Sequence, residues 1–191
     1  MIKAGAMRAT VAFAALVLLA ACATNKQKNI DAPTKLDKFT STVKVEQVWS
    51  ASAGSADPKM RLGLSVATDG KAVFAASHTG VVSAFNVGNG KKLWQTKTGL
   101  KLTGGPGAGD GLVVAGTGYG DIVALDAATG ARKWKAHINS EVLAPPAISN
   151  GVVLMRMADG RVVALKVSDG TELWSAEQQV PKLSLRGTAK P

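Results

Sequence analysis

Gly120-Asp121-Ile122-Val123-Ala124-Leu125-Asp126-Ala127-Ala128-Thr129-Gly130 leads, after Ala131, into Arg132-Lys133-Trp134, and this stretch is one of three copies. Gly80-Val81-Val82-Ser83-Ala84-Phe85 and Gly160-Arg161-Val162-Val163-Ala164-Leu165 align with its first six residues without gaps. The spacing is 40 residues for Gly80, Gly120 and Gly160, for Gly90, Gly130 and Gly170, and for Trp94, Trp134 and Trp174. A fixed period of this size marks an architecture built by repeating one supersecondary unit.

Each copy carries the turn chemistry of a four-stranded antiparallel meander. Asp69-Gly70, Asp110-Gly111 and Asn150-Gly151 suit two-residue type I′ hairpins, in which both central residues take positive φ. Short apolar strands follow at Lys71–Ser77, Leu112–Thr117 and Val152–Met157. Next come a Gly-ended turn, the Gly80-type strand, a second turn such as Ala127-Ala128-Thr129-Gly130, and the Trp-bearing strand. Short, evenly spaced strands without helical periodicity predict an all-β fold.

A four-stranded unit of this length, unable to bury both faces alone, predicts a β-propeller blade. Blades stack face to face, and Val81-Val82, Ile122-Val123 and Val162-Val163 read as apolar runs buried on both sides. Pro106 and Pro145-Pro146 fall on the innermost strand, an edge where a missing N–H is tolerated. The expected blades cover about 59–98, 99–139 and 140–179, with the start of another at 180–191. Trp49, in Val48-Trp49-Ser50-Ala51-Ser52-Ala53-Gly54, matches the Trp94 stretch and reads as an outermost strand without its three partners. Propellers close by joining strands from both chain ends, so the expectation is an incomplete sequence of a protein about twice as long, its propeller part lying at 43–191.

The N-terminus is of another kind. Lys3 and Arg8 precede the apolar run Val11–Ala20, which has signal-peptide length and is too short to span a bilayer. It ends in Leu19-Ala20-Ala21-Cys22, an arrangement that resembles the lipobox of bacterial lipoproteins, cut before a cysteine that is then acylated. Cys22 is the only cysteine, so no internal disulfide competes for it. Residues 1–21 read as the signal peptide and 22–42 as a polar, lipid-anchored tether. Losing 1–21 takes the formal charge from +10 to +8, part of it in tether lysines. Export argues against a nucleic-acid partner for that charge. Ala23 after the cysteine implies, by the lipoprotein sorting pattern, an outer-membrane destination on the periplasmic face.

The blade signature resembles that of pyrroloquinoline-quinone-type propellers. With the lipobox, Trp49 and Leu183-Ser184-Leu185-Arg186, the whole chain resembles the N-terminal half of the outer-membrane assembly factor BamB family. That resemblance implies an eight-bladed, non-catalytic scaffold of the β-barrel assembly machinery, without cofactor. It implies docking on the POTRA domains of the central barrel subunit through Leu183, Leu185 and Arg186, with nascent outer-membrane proteins as further partners. The register of that loop stays open. At an offset of 40, Leu183 aligns with Leu143 and is inner-strand core; at 45, Ala189-Lys190-Pro191 aligns with Ala144-Pro145-Pro146 and Leu183–Arg186 falls in an inter-blade loop.

The chemistry-bearing residues read mostly as structural. Trp94, Trp134 and Trp174 recur once per blade on the outermost strand and are expected to pack between blades rather than to stack a quinone. Asp126, Asp169, Asn86 and Asn89 sit at turns, where such side chains accept backbone N–H bonds more often than they bind calcium. His78 and His137 share no metal-ligand spacing with Cys, Asp or Glu and read as surface residues. Gly104-Gly105-Pro106-Gly107-Ala108-Gly109 lacks the Lys-Ser/Thr and helix of a phosphate loop. The alternatives are a fragment of a periplasmic quinone-dependent dehydrogenase and a ligand-binding propeller.

Overall fold

The computed structural model describes residues 42–55, 64–142 and 144–177. The chain divides between Lys44 and Val45 into two units, and every strand lies in the second. Twelve strands form three antiparallel four-stranded meanders among these residues. The first blade is β1 (Ala67–Thr68), β2 (Ala72–Ala76), β3 (Val81–Asn86) and β4 (Lys92–Lys97). The second is β5 (Gly107–Gly109), β6 (Leu112–Gly116), β7 (Asp121–Asp126) and β8 (Arg132–His137). The third is β9 (Ala147–Ser149), β10 (Val152–Arg156), β11 (Arg161–Lys166) and β12 (Glu172–Glu177). This is the all-β blade architecture that the repeat predicts.

Face-to-face stacking explains the apolar runs. Strand side chains alternate between faces, and the middle blade uses both. Val113, Ala115, Val123 and Leu125 pack with Phe74, Val82 and Ala84 of the first blade. Val114, Ile122 and Ala124 pack with Val153, Met155 and Val163 of the third. All five residues of β6 are buried, whereas in β2 and β10 only alternate residues are.

Each blade carries a bulge at the same place, between Ala84 and Phe85, Ala124 and Leu125, or Ala164 and Leu165. In the first, Ala84 pairs with Trp94 and Phe85 with Lys92, leaving Leu93 over. A bulge expels the extra residue from the ladder, which accounts for Leu93 and Leu173 being 53% and 49% exposed.

Blades converge toward their innermost strands. A Cβ on Gly107 would run into the carbonyl oxygen of Pro146, and one on Gly109 into that of Ile148. Only glycine lets β5 lie this close to β9. The prolines fall just before these strands, in a break between the isolated bridges at Leu102 and Val142 and the ladders that resume at Gly107 and Ala147.

Two of the three expected hairpin turns have the positive φ pairs of type I′: Asp110 and Gly111 at +48° and +75°, Asn150 and Gly151 at +54° and +78°. The first differs. Gly70 has φ +85°, but Asp69 stays out of the left-handed region. Lys71 makes this connection one residue longer, and Asp69 Oδ1 instead accepts the N–H groups of Lys71 and Ala72 at 2.9 and 2.8 Å.

The outer strands are joined by tryptophan clasps. Trp94 Nε1 donates to the carbonyl of Ala127 at 2.9 Å, and Trp134 Nε1 to that of Val167 at 2.8 Å. Each indole lies over a glycine of the next blade. A Cβ on Gly130 would stand 2.5 Å from Trp94 Cε3, and one on Gly170 2.6 Å from Trp134 Cε3. Trp49 makes the same clasp onto the first blade, donating to Val87 O at 2.8 Å above Gly90. It lies outside any ladder, since no described residue pairs with its backbone.

Gly111 and Gly130 have nearly the same φ, +75° and +74°, but nothing lies within 4 Å of a Cβ on Gly111. Gly111→Ala is expected to lose about 1–2 kcal/mol from the left-handed backbone alone. Gly130→Ala should lose a further ~1–3 kcal/mol from displacing the indole. Urea unfolding of both variants measures the difference; equal losses would refute the clasp as a tight contact.

Candidate functional site

The expected site residues separate into two groups. Cys22, Leu183, Leu185 and Arg186 lie outside the described residues. Gly80, Gly120 and Gly160 close the turns before β3, β7 and β11, and a Cβ on Gly120 would strike the Ile138 carbonyl oxygen. Trp49, Trp94 and Trp134 are committed to the clasps, while Trp174 is 47% exposed.

The turn residues cap backbone. Asn86 Oδ1 accepts the N–H groups of Gly88 and Asn89, Asn89 Oδ1 that of Lys91, and Asp169 Oδ1 that of Thr171. Asp126 Oδ1 takes the N–H groups of Ala128 and Thr129 and the Thr129 hydroxyl, while Oδ2 pairs with Lys133 Nζ at 3.1 Å. The Thr129 hydroxyl, then Lys133, hold the Asp126 carboxyl down at about 2. Asp169 is lowered for a similar reason, chiefly by Thr171. Among the described residues no three His, Cys, Asp or Glu side chains converge on a metal-sized site.

Both histidines do more than sit on the surface. His78 is half-buried, and its Nδ1 lies 2.9 Å from the carbonyl oxygen of Leu102, so it donates across to the chain entering the second blade. His137 is exposed at the end of β8. Its Nδ1 lies 2.9 Å from Asp121 Oδ1 and its Nε2 3.1 Å from Asn139 Oδ1. Two oxygen acceptors suit the doubly protonated ring, and the Asp121 bond is the main cause that raises its pKa above 6.5. Asn139 extends the chain of contacts, its carbonyl accepting from Arg161 of the third blade at 3.2 Å. Asp110 also reaches across, accepting the Gly151 N–H at 2.7 Å. Sequence spacing does not signal these ties, because each joins residues brought together by blade stacking or strand pairing.

Two clefts open between blades on the side of the Asx turns. One, of about 450 Å³, has Ala72, Leu93, Ala127 and Ala128 in its lining. The other, of about 340 Å³, includes Leu112, Lys133, Val167 and Ser168, residues 40 positions further along. They are one structural feature repeated, with an apolar residue in the first replaced by a lysine in the second. The outer rim changes sign instead: β4 and β8 carry Lys92, Lys97, Arg132, Lys133 and Lys135, and β12 carries Glu172 and Glu177.

A sequence model described as "Outer membrane protein assembly factor BamB" matches residues 78–191. The chain is similar to the protein of that name from Alkalilimnicola ehrlichii, 39% identical over 102 residues, which is 53% of this chain and 25% of the relative. It thus aligns with about a quarter of that curated relative's length. The crystal structure of BamB from Moraxella catarrhalis superposes with TM-score 0.63 and 35% identity, covering 69% of this chain and 40% of that one. A europium-containing methanol dehydrogenase has TM-score 0.50 at 23% identity, over 59% of this chain and 24% of its own, a likeness of fold alone.

The His137 pair has a directional pH signature. Because the folded pKa lies above the ordinary 6.5, the contact contributes fully below pH 6.5 and is lost as pH rises through the folded value. Asp121→Asn is expected to bring the His137 ring midpoint, followed by NMR, down toward 6.5. An unmoved midpoint would show that Asp121 is not the cause.

Proposed function

Because the chain belongs to the outer membrane protein assembly factor BamB family, we propose that it is a non-catalytic scaffold in the assembly and insertion of outer-membrane β-barrel proteins. The family match through the second and third blades is the observation that carries this reading. A scaffolding role also agrees with where the conspicuous side chains are spent. Trp94 and Trp134 are engaged in blade clasps rather than in a quinone platform, and the turn carboxylates hold backbone N–H groups. The methanol dehydrogenase likeness, confined to fold, does not favour the enzyme reading.

In this proposal residues 1–21 are removed, Cys22 is acylated, and 22–42 tether the propeller to the periplasmic face of the outer membrane. Durable anchoring needs more than one acyl chain, which the lipobox cysteine receives. Leu183, Leu185 and Arg186 contact the POTRA domains of the central barrel subunit, two apolar side chains and a forked cation being a suitable anchor set. Nascent barrel proteins are further partners.

Two measurements test the separate parts. Radiolabelled palmitate should enter the chain in cells and fail to enter the Cys22→Ala variant; label in that variant would refute acylation at Cys22. Binding to purified POTRA domains should weaken at least about tenfold when Leu183, Leu185 and Arg186 are together replaced by alanine. Unchanged affinity would remove this loop from the interface.

A further inference from the structure

We infer that the outer rim of the first two blades is a docking surface for an anionic lipid bilayer. Around β4 and β8 the exposed cations are Lys91, Lys92, Lys97, Lys101, Arg132, Lys133 and Lys135. Lys133 is paired with Asp126 and Lys92 bonds the Gln95 side chain. Lys97, Arg132 and Lys135 form no ion pair among the described residues.

Edge strands carry charge, lysine especially, to block pairing with other chains. At the same repeat position β12 uses Glu172 and Glu177. Edge protection therefore does not by itself require the positive sign on β4 and β8.

Two features select a bilayer over an acidic protein. Protein interfaces are anchored by aromatic side chains inserted into a partner. Here Trp94 and Trp134 turn into their clasps, leaving Leu93 as the exposed large apolar side chain of these two strands. Cations without an aromatic anchor match a diffuse anionic surface. The second feature is where the chain arrives. Trp49 docks on Val87 and Gly90, in the turn that leads into β4. The preceding segment 22–42, itself carrying Lys26, Lys28, Lys35 and Lys38, has a maximum reach of roughly 70 Å when extended. A lipid on Cys22 thus leaves this rim free to reach the membrane surface, and for that geometry the inference rests on the proposed acylation.

The test removes the acyl chains and keeps the charges. The mature chain from residue 22, carrying Cys22→Ser, is cosedimented with neutral phosphatidylcholine vesicles and with vesicles containing about one third phosphatidylglycerol. Binding is expected to the anionic vesicles only, at about 50 mM salt, and to vanish near 0.5 M. Lys97→Gln, Arg132→Gln and Lys135→Gln together should lower the partition coefficient at least about tenfold, since each charge near such a surface is worth roughly fivefold. Far-UV circular dichroism and tryptophan emission identical to the parent's establish that the triple variant is folded, and a misfolded variant is replaced by the three single substitutions. Equal binding by parent and variant, equal binding to both vesicle types, or binding to polyglutamate but not to vesicles would each overturn the inference. Palmitate labelling of the unaltered chain reports on Cys22 independently, so failure at the rim and failure of the anchor are distinguishable.

Discussion

An indole needs a place to lie flat and an acceptor for its one N–H, and the next blade supplies both. The carbonyl of Ala127 takes the Trp94 proton while Gly130 lies beneath the ring, and Val167 with Gly170 does the same for Trp134. A buried N–H without a partner would cost about 1–3 kcal/mol, and any side chain at the glycine would push the ring away. The turn glycine therefore meets two requirements at one position. It takes the positive φ that the turn needs and leaves the space that the neighbour's tryptophan needs.

This contact sets the separation between blades at their outer edges, and between the second and third blades glycines set it near the inner ones. At the rim a bicyclic side chain stands between neighbouring blades; at β5 the chain runs Gly-Ala-Gly, and its backbone approaches that of β9 with no room for a Cβ. Wide outside and narrow inside is a wedge, and stacked wedges turn about an axis. The apolar side chains of the central strands fill the middle of each wedge, alternating between the two neighbouring blades. Trp49 shows that the clasp does not depend on a ladder, since it docks on Gly90 from a segment without strand pairing.

The fold was legible because what the outer edge of the wedge requires recurs. Glycine, apolar strand, Asx turn and tryptophan return at 40-residue intervals, so strand order and the packing role of Trp94 and Trp134 are legible in the sequence. Where the repeat slips, the reading slips. Asp69 and Asp110 are 41 residues apart, and the extra Lys71 turns an expected two-residue hairpin into a longer Asx-stabilised turn. The ties of His78 to Leu102, His137 to Asp121 and Asp110 to Gly151 were not legible, since each depends on how strands pair or blades rotate against one another. The expected anchor and partner residues belong to a different class. Cys22 and Leu183 to Arg186 are read from local motifs and resemblance and lie outside the described residues.

That division has a physical basis. The turn glycine and the tryptophan of the clasp reappear in each described blade and cannot also distinguish one partner from another. What is free to serve recognition is whatever departs from the repeat. Position 119 is tyrosine and 80% exposed, where its counterparts are Thr79 and Asp159. The outer strands keep their tryptophan but change from Lys and Arg to Glu. A propeller can carry these differences at little cost because they point away from the neighbouring blades, at turn tips and on the outermost edge. Selection acting on a binding surface can thus alter charge or shape blade by blade, while the indole on its glycine keeps the blades in register beneath.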